Sequence, residues 1–414
     1  MPSLEQVRRK LEGRRRDDLV LLVGRNPIPN FVAASVLHPK TIYMVFTEDT
    51  KAVKDRLVET LQTHVSWDLK VPNFIDHELV NECSVNEVKR IVKEFIPAGS
   101  GLHYTGGMKT MAAHVYYFWR QSGGDPRFAS YLDESSGTIW FDDGLSEGID
   151  EAAPLSLKAL SDLHGLSKLN ARSLPEENSL KGCPSAGDAV TITREAAKNP
   201  ERISDLTKTL GNYIDWACTV FSRLSYSSDF SPPGAKNQTA KSKWIAFFEH
   251  NQWLEVFTAH CVAEAGKQIE EEGFEHGETH WDVRAKTVAD RDFQVDVVHC
   301  RGHRLYALSC TTAKPSKNLD TVKNKLFEVS LRSRQLGGDF ARSAVVSFLD
   351  GSQLSQLQND VITAYGPIDE AGRPLVAHIP KVFGVDHIRA WLNDDLSSLK
   401  EWLRGIGRGE KCRF

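Results

Sequence analysis

The chain has 414 residues, 41% of them hydrophobic and 26% charged, with a formal net charge of -4. That is enough length for two or three domains with real cores and the composition of a soluble globular protein. The charge excludes a surface coated for nucleic-acid binding, so any such site must be focal. No apolar run approaches the ~20 residues of a membrane span, and the N-terminus, with Arg8, Arg9, Lys10 and Arg14 to Arg16, lacks the apolar segment of a signal peptide. A cytoplasmic location and no membrane partner are expected. Seven cysteines (Cys83, Cys183, Cys218, Cys261, Cys300, Cys310, Cys412), with no CxxC pair, read as reduced thiols and imply no structural zinc. The fourteen histidines form no HExxH pair.

In chain order, Asp18 to Val23 is a nearly continuous apolar run, followed by the loop GRNPIPN and the helix-compatible FVAASVL. Strand, loop and helix in that order make an α/β unit. Thr41 to Phe46, then Thr47 and the amphipathic Lys51 to Leu61, make a second. A third is expected from a strand at Trp67 to Phe74 and a helix at Val80 to Phe95. The repetition predicts a parallel, Rossmann-like sheet with ligands beyond the carboxyl ends of its strands. At those ends lie Gly24, Arg25, Asn26 and Pro27; Thr47; and, after the short strand Leu102 to Tyr104, Thr105, Gly106, Gly107, Lys109 and Thr110. A Thr-Gly-Gly turn opening a helix offers backbone N–H groups at the positive end of the helix dipole, and Lys109 adds a charge, which suits a phosphate. A glycine turn that merely starts a helix is the plain alternative. Neither GxGxxG nor GxxxxGK[ST] is present.

VGRNPIPNFVAA, the strand ending in Phe46-Thr47, and HYTGGMKTMAAH resemble the CARF domain, the Rossmann-like sensor of type III CRISPR defence that binds cyclic oligoadenylates. The resemblance makes Gly24, Arg25, Asn26, Pro27, Thr47, Thr105, Gly106, Gly107, Lys109 and Thr110 the candidate sensor residues. It also implies a homodimer that shares one cyclic ligand.

Arg127 to Leu132 and Thr138 to Gly144 read as a hairpin closing this domain at about residue 150. Leu155 to Leu169 has a helical pattern, Pro175 to Asp188 reads as linker, and helices are expected over Arg194 to Tyr226 before the breaker SSDFSPPGAKNQ. A helical connector over 151–240 is the expectation for this stretch.

Lys243 to Glu271 carries a long helical pattern with an apolar stripe of Trp253, Leu254, Phe257, Cys261, Val262 and Ala265; Glu255 lies off it. Phe293 to Thr312 is two alternating runs joined at Gly302-His303, a hairpin signal. Counting outward from Arg301 facing Arg304 sets Asp296 across from Ser309 and Gln294 across from Thr311, all four on one face. Ser343 to Phe348 and Val376 to Val382 read as further strands, and His387 to Leu403 as one terminal helix. Asp386 and His387 sit at its start, where Asp is a common cap, and are assigned no catalysis.

A helix with Glu, a hairpin with Asp, then a strand and a helix resembles the PD-(D/E)xK nuclease fold, in which helical Glu, strand Asp and an ExK hold divalent metal. Phosphodiester hydrolysis uses carboxylates to hold hard cations and a positive group near the reacting water. Glu255 and Asp296 match the first two positions, but Ser309, Cys310 and Thr311 stand where ExK should fall. Lys314 follows the strand, and in the next helix Lys325, Glu328 and Arg332 share a face while Lys323 sits at the flank. SCTT with KxKLFE and RQLGGD looks like a variant branch of CARF-bearing CRISPR nucleases. The resemblance thus implies Glu255, Asp296 and Glu328 as ligands of Mg²⁺ or Mn²⁺, Lys323 or Lys325 as a migrated base or charge stabiliser, and Ser309 and Thr311 as water-positioning groups.

The expectation is an α/β chain with a CARF domain over 1–150, a helical connector over 151–240 and a PD-(D/E)xK nuclease-like domain over 241–414. It would be a nuclease for DNA or RNA, metal-dependent and activated by a cyclic oligoadenylate, cyclic tetra-adenylate first among them. The rival readings are a nucleotide-responsive regulator with an inactive nuclease fold, and a sensor domain that cleaves its own ligand.

Overall fold

The computed structural model describes residues 4–67, 70–81, 83–133, 136–149, 153–174, 184–198, 200, 247, 250–271, 277–313, 319–365 and 379–404. Lys314, the 201–246 part of the expected connector helices, most of the Pro175 to Asp188 linker and 366–378 lie outside them.

The first sheet has the order β3-β2-β1-β4-β5-β6-β7. Strands β1 (Asp18–Leu22), β2 (Thr41–Thr47), β3 (Asn73–Leu79), β4 (Gly101–His103) and β5 (Ala129–Asp133) run parallel. β6 (Thr138–Phe141) and β7 (Ser146–Gly148) close the sheet by antiparallel hairpins, as the two runs before residue 150 imply. Parallel strands buried on both faces need apolar residues at every position, which is why DLVLL and TIYMVF show no alternation. Leu19, Leu21, Ile42, Met44 and Phe46 pack against α2 (Ile28–Leu37) and α3 (Glu48–His64). Val20, Leu22, Tyr43 and Val45 face α4 (Val85–Phe95) and α5 (Lys109–Gln121).

The third unit lies further along the chain than expected. Its strand is Asn73–Leu79, not Trp67 to Phe74, and its helix starts at Val85, where the Ser84 side chain accepts from the Glu87 N–H. β3 is the sheet's edge strand and mostly exposed, so the apolar run that betrays β1 and β2 is missing from it.

The second sheet has the order β13-β12-β11-β10-β9-β8. After α7 (Ala186–Lys198), its helix–strand sequence is α8 (Gln252–Glu271), β9 (Glu278–Lys286), β10 (Asp292–Arg301), β11 (Arg304–Cys310), α9 (Leu319–Gly337) and β12 (Arg342–Val346). β13 (Lys381–Phe383) flanks β12 in parallel. The edge strand β8 (Ser167–Arg172) comes from the stretch expected to be connector: after α6 (Leu157–His164), Gly165 in a left-handed conformation ends the helix and the chain turns to pair with β9. The helical reading of Leu155 to Leu169 therefore holds only to His164. The described α8 opens at Gln252, after Asn251 with φ 55°; Lys243, where the helical pattern begins, lies outside the described residues. The terminal segment is two short helices, Val385–Trp391 and Ser397–Arg404, because Asp394 takes a left-handed φ of 63° between them. His387 Nδ1 accepts from the Gly384 N–H and Asp386 pairs with Arg389, both helix-end roles.

One apolar core continues from the α2/α3 face of the first sheet into the α9 face of the second, where Phe293, Val295, Val298, Leu305 and Ala307 meet Val322, Leu326 and Val329. The other face of the second sheet packs on α8 through Trp253, Leu254, Phe257, Val262 and Ala265. Burying side chains of this size contributes about 1.5–3 kcal/mol each, so α8 and α9 are held firmly on opposite faces of the hairpin. Among the described residues no helix is long and apolar enough to cross a membrane.

Candidate functional site

At the first sheet the loops after β1 and β4 are pressed together. A Cβ on Gly24 would lie 2.6 Å from the Gly107 backbone nitrogen, and one on Gly106 would lie 2.0 Å from the Leu22 carbonyl oxygen. Only glycine permits that approach, and Gly107 also holds φ at 78°. GRNP and TGGMK thus form one rim, with Arg25, Lys109 and Thr110 exposed on it. Pro27 is buried at the start of α2, and Asn26 Oδ1 accepts from the Ile28 N–H at 3.2 Å. Two residues of the sensor set have local duties. Thr47 caps α3 in a capping box with Thr50, and Thr105 Oγ1 accepts from the Leu132 N–H at 2.6 Å, tying the TGG turn to β5. The whole set lies at the carboxyl ends of β1, β2 and β4, the ligand edge of such a sheet.

In the second sheet the hairpin register is as counted: Arg301 pairs with Arg304 and Val297 with Leu308. Asp296 Oδ2 accepts from Ser309 Oγ at 2.8 Å and from the Cys310 N–H at 2.7 Å. Burial nevertheless dominates and pushes the Asp296 carboxyl above the usual carboxylate range; the two donors and Lys325 oppose that, while Glu328 adds to it. Glu255, on α8, is 8% exposed rather than on a solvated face. Burial, then the charges of Asp296 and Asp282, hold its carboxyl well above its usual range. One helical turn on, Thr258 Oγ1 takes the Cys310 thiol at 3.4 Å and seats α8 on the strand carrying Ser309.

The single row of four polar residues breaks at Asp296. Phe293 and Val295 pack in one core, Val297 in the other, and Val298 and Cys300 return to the first, so the strand slips phase there. β9 slips at the facing position: the ladder passes from Val295↔Val283 to Val297↔Trp281, skipping the rung of Asp296 and Asp282. Gln294 accordingly reaches Asp282, at 3.5 Å, and not Thr311. Thr311 Oγ1 accepts from the Ala313 N–H and shapes the exit from β11.

From α9, Lys325 and Glu328 pair with one another at 3.6 Å, and both charges bear on Asp296. Lys323 instead pairs with Asp360 at 3.2 Å, on the helix Gly351–Tyr365. Of the two lysines, Lys325 is therefore the one beside the acidic pocket. Reading the hairpin alone missed Asp282, Arg284 and Arg172. The available signal was an Asp inside the strand-like run THWDVRAK.

The donor chemistry fits a hard cation in part. Glu255 supplies a buried carboxyl and Asp296 a partly buried one, and a Mg²⁺ or Mn²⁺ would relieve their repulsion. Among the described residues no three His, Cys, Asp or Glu side chains stand close enough to close a coordination sphere. Glu328, in its ion pair with Lys325, stays outside such a group.

No family model matches the sequence, and no curated protein matches it significantly. Among solved structures the chain is similar to Can2 from Sulfobacillus thermosulfidooxidans in complex with cyclic tetra-adenylate, at 15% identity and TM-score 0.61, over 93% of this chain and 99% of that one. It is also similar to protein VC1899 from Vibrio cholerae, at 14% identity and TM-score 0.64, over 94% and 98%. The likeness is one of fold and runs through both sheets. The chain has the α/β architecture of these structures: a Rossmann-like, largely parallel sheet followed by a second, mixed sheet.

Proposed function

We propose that this chain is a metal-dependent nuclease activated by a cyclic oligoadenylate, acting on DNA or RNA in antiviral defence as a homodimer. The observation that carries the reading is the buried Glu255 carboxyl, on which the charge of Asp296 in the β10–β11 hairpin bears directly. Burying two carboxyls together is costly unless a proton or a cation is shared between them. A bound Mg²⁺ or Mn²⁺ would supply Lewis-acid stabilisation of phosphoryl charge. Glu255 and Asp296 would hold it, with Glu328 the third candidate if its pair with Lys325 opens. Ser309 fixes the Asp296 carboxylate by donating to Oδ2, and Lys325 sets a positive charge at the pocket. The likeness of fold to Can2, whose structure holds cyclic tetra-adenylate, supports the same ligand class at the GRNP and TGGMK rim.

One contact joins the two sites. Asn26 of the sensor rim reaches Asp339 through Nδ2 at 3.5 Å, and Gly338, with φ 59°, lies so close that a Cβ there would be 2.6 Å from Asn26 Oδ1. Gly338 directly follows α9, the helix carrying Lys325 and Glu328. A ligand that moves Asn26 would bias α9, which is all that allosteric coupling requires. The test is cleavage of labelled DNA and RNA by the purified protein with Mn²⁺, with and without cyclic tetra-adenylate, beside Asp296→Ala. Cleavage that needs the ligand and is lost in the variant supports the reading; undiminished cleavage by Asp296→Ala overturns the site.

A further inference from the structure

The lysine that an ExK would supply is absent at Thr311, yet the acidic pocket has a second cationic element. Asp282 is 3% exposed and holds a left-handed φ of 47°, a conformation that costs a non-glycine residue on the order of 1 kcal/mol and persists only where its surroundings enforce it. Two arginines enforce it here. Arg284 Nε donates to Oδ1 at 2.7 Å, and Arg172 Nε lies 3.1 Å from Oδ2. Both guanidinium groups are half-exposed, at 55% and 49%, so a buried anion anchors two cations whose outer ends reach solvent. Arg172 also lies 5.0 Å over the Trp281 ring, which fixes its plane. Each arginine meets Asp282 through Nε, which leaves the Nη edge of each fork outside that pair. The triad carries one net positive charge, and both guanidinium charges act on Glu255.

We infer that Arg172 and Arg284, clamped by Asp282, form the phosphate-binding fork of the Glu255–Asp296 pocket and hold the nucleic-acid backbone there. The inference rests on the nuclease reading of that pocket. A planar fork held rigid by a buried carboxylate recognises two phosphate oxygens at once, whereas a mobile lysine offers a point charge. β8 pairs with β9 so that Arg172 faces Trp281 and reaches Asp282, which brings a residue from the stretch before the nuclease-like core into the cluster.

The test separates binding from cleavage. Fluorescein-labelled single-stranded DNA is titrated with the full-length protein in EDTA, with cyclic tetra-adenylate present, over a range of salt. Arg172→Ala/Arg284→Ala should bind at least tenfold more weakly, and its plot of log affinity against log salt should flatten by roughly 1.4, about 0.7 per phosphate contact on a single strand. Lys40→Ala, which removes an exposed charge paired with Asp17 in the first domain, should leave both unchanged. Because the double variant leaves Asp282 buried without its two counter-charges, Asp282→Asn/Arg172→Gln/Arg284→Gln neutralises the cluster as a unit and should show the same loss. Wild-type affinity and salt slope in both variants would overturn the inference, as would a wild-type protein that binds no strand. Weaker binding by the variants of a protein that never cleaves would leave the fork standing and reject the nuclease reading. Cleavage with unaltered binding would do the reverse.

Discussion

Replacing Asp296 in two ways separates its structural duty from its chemical one. The carboxylate takes two donors, Ser309 Oγ at 2.8 Å and the Cys310 N–H at 2.7 Å, at a partly buried position. Asp296→Ala strands both donors at about 1–3 kcal/mol each. Removing a buried charge that repels Glu255 offsets part of this, for a net loss of about 2–4 kcal/mol. At about 2–4 °C per kcal/mol for a domain of this size, Tm should fall by roughly 4–16 °C. Asp296→Asn keeps the shape, offers its amide oxygen to the same donors and also ends the repulsion, so its stability should stay within ~1 kcal/mol of the parent. Both variants should lose about 100-fold or more in cleavage, since a loss of about 3 kcal/mol of transition-state stabilisation is that factor. Scanning calorimetry with a parallel cleavage assay reads both quantities. An Asp296→Asn protein that cleaves at the parent rate, or that melts as low as Asp296→Ala, would refute this account of the residue.

Other expectations follow from the same geometry. Gly106→Ala, whose Cβ would sit 2.0 Å from the Leu22 carbonyl oxygen, should reshape the sensor rim and weaken cyclic tetra-adenylate binding more than tenfold by isothermal titration. Asp339→Ala should leave ligand affinity within about threefold yet cut ligand-stimulated cleavage about fivefold or more, a coupling change of about 1 kcal/mol; equal stimulation would show that Asn26 and Asp339 are not the link. Stability should also fall with acid. Burial depresses His103 from its ordinary 6.5 to about 3, and His164 to about 4. Each such group stabilises the fold fully above pH 6.5, and that contribution is lost at about 1.4 kcal/mol per pH unit as pH drops toward the folded value. Glu255 and Asp296, raised instead, work the other way: their contribution is present at low pH and lost as pH rises through their folded values. Urea unfolding of His103→Gln between pH 6.5 and 4.5 should accordingly show a shallower pH dependence than the parent; an identical slope would remove His103 from the acid response.

What could be read from the residues, and what could not, has a physical pattern. β1, β2, β10, β11 and the hairpin register were legible because buried strands and a two-residue turn leave strong local signatures. β3 was displaced and β8 missed because edge strands carry polar residues that imitate loops and helices. The burial of Glu255 was hidden for the opposite reason: α8 is packed on nearly all sides, so residues off its apolar stripe are also covered. The phase slip at Asp296 and Asp282 depends on two strands failing together, and no counting along one hairpin discloses it. The GRNP and TGGMK loops stood out by motif, but the reason for their glycines, the contact of Gly24 with Gly107 and of Gly106 with Leu22, is visible only in three dimensions.

The central claim is regulated, metal-dependent phosphodiester cleavage, and the ratio of cleavage rates with and without saturating cyclic tetra-adenylate tests it most directly. It is measured on the full-length protein at fixed Mn²⁺, on labelled DNA and RNA. A rate rise of at least tenfold is expected on one of those substrates, abolished by EDTA and by Asp296→Asn. A ratio of one, or no cleavage in any combination despite measurable ligand binding, would contradict it and leave a nucleotide-responsive binding protein built on a nuclease fold.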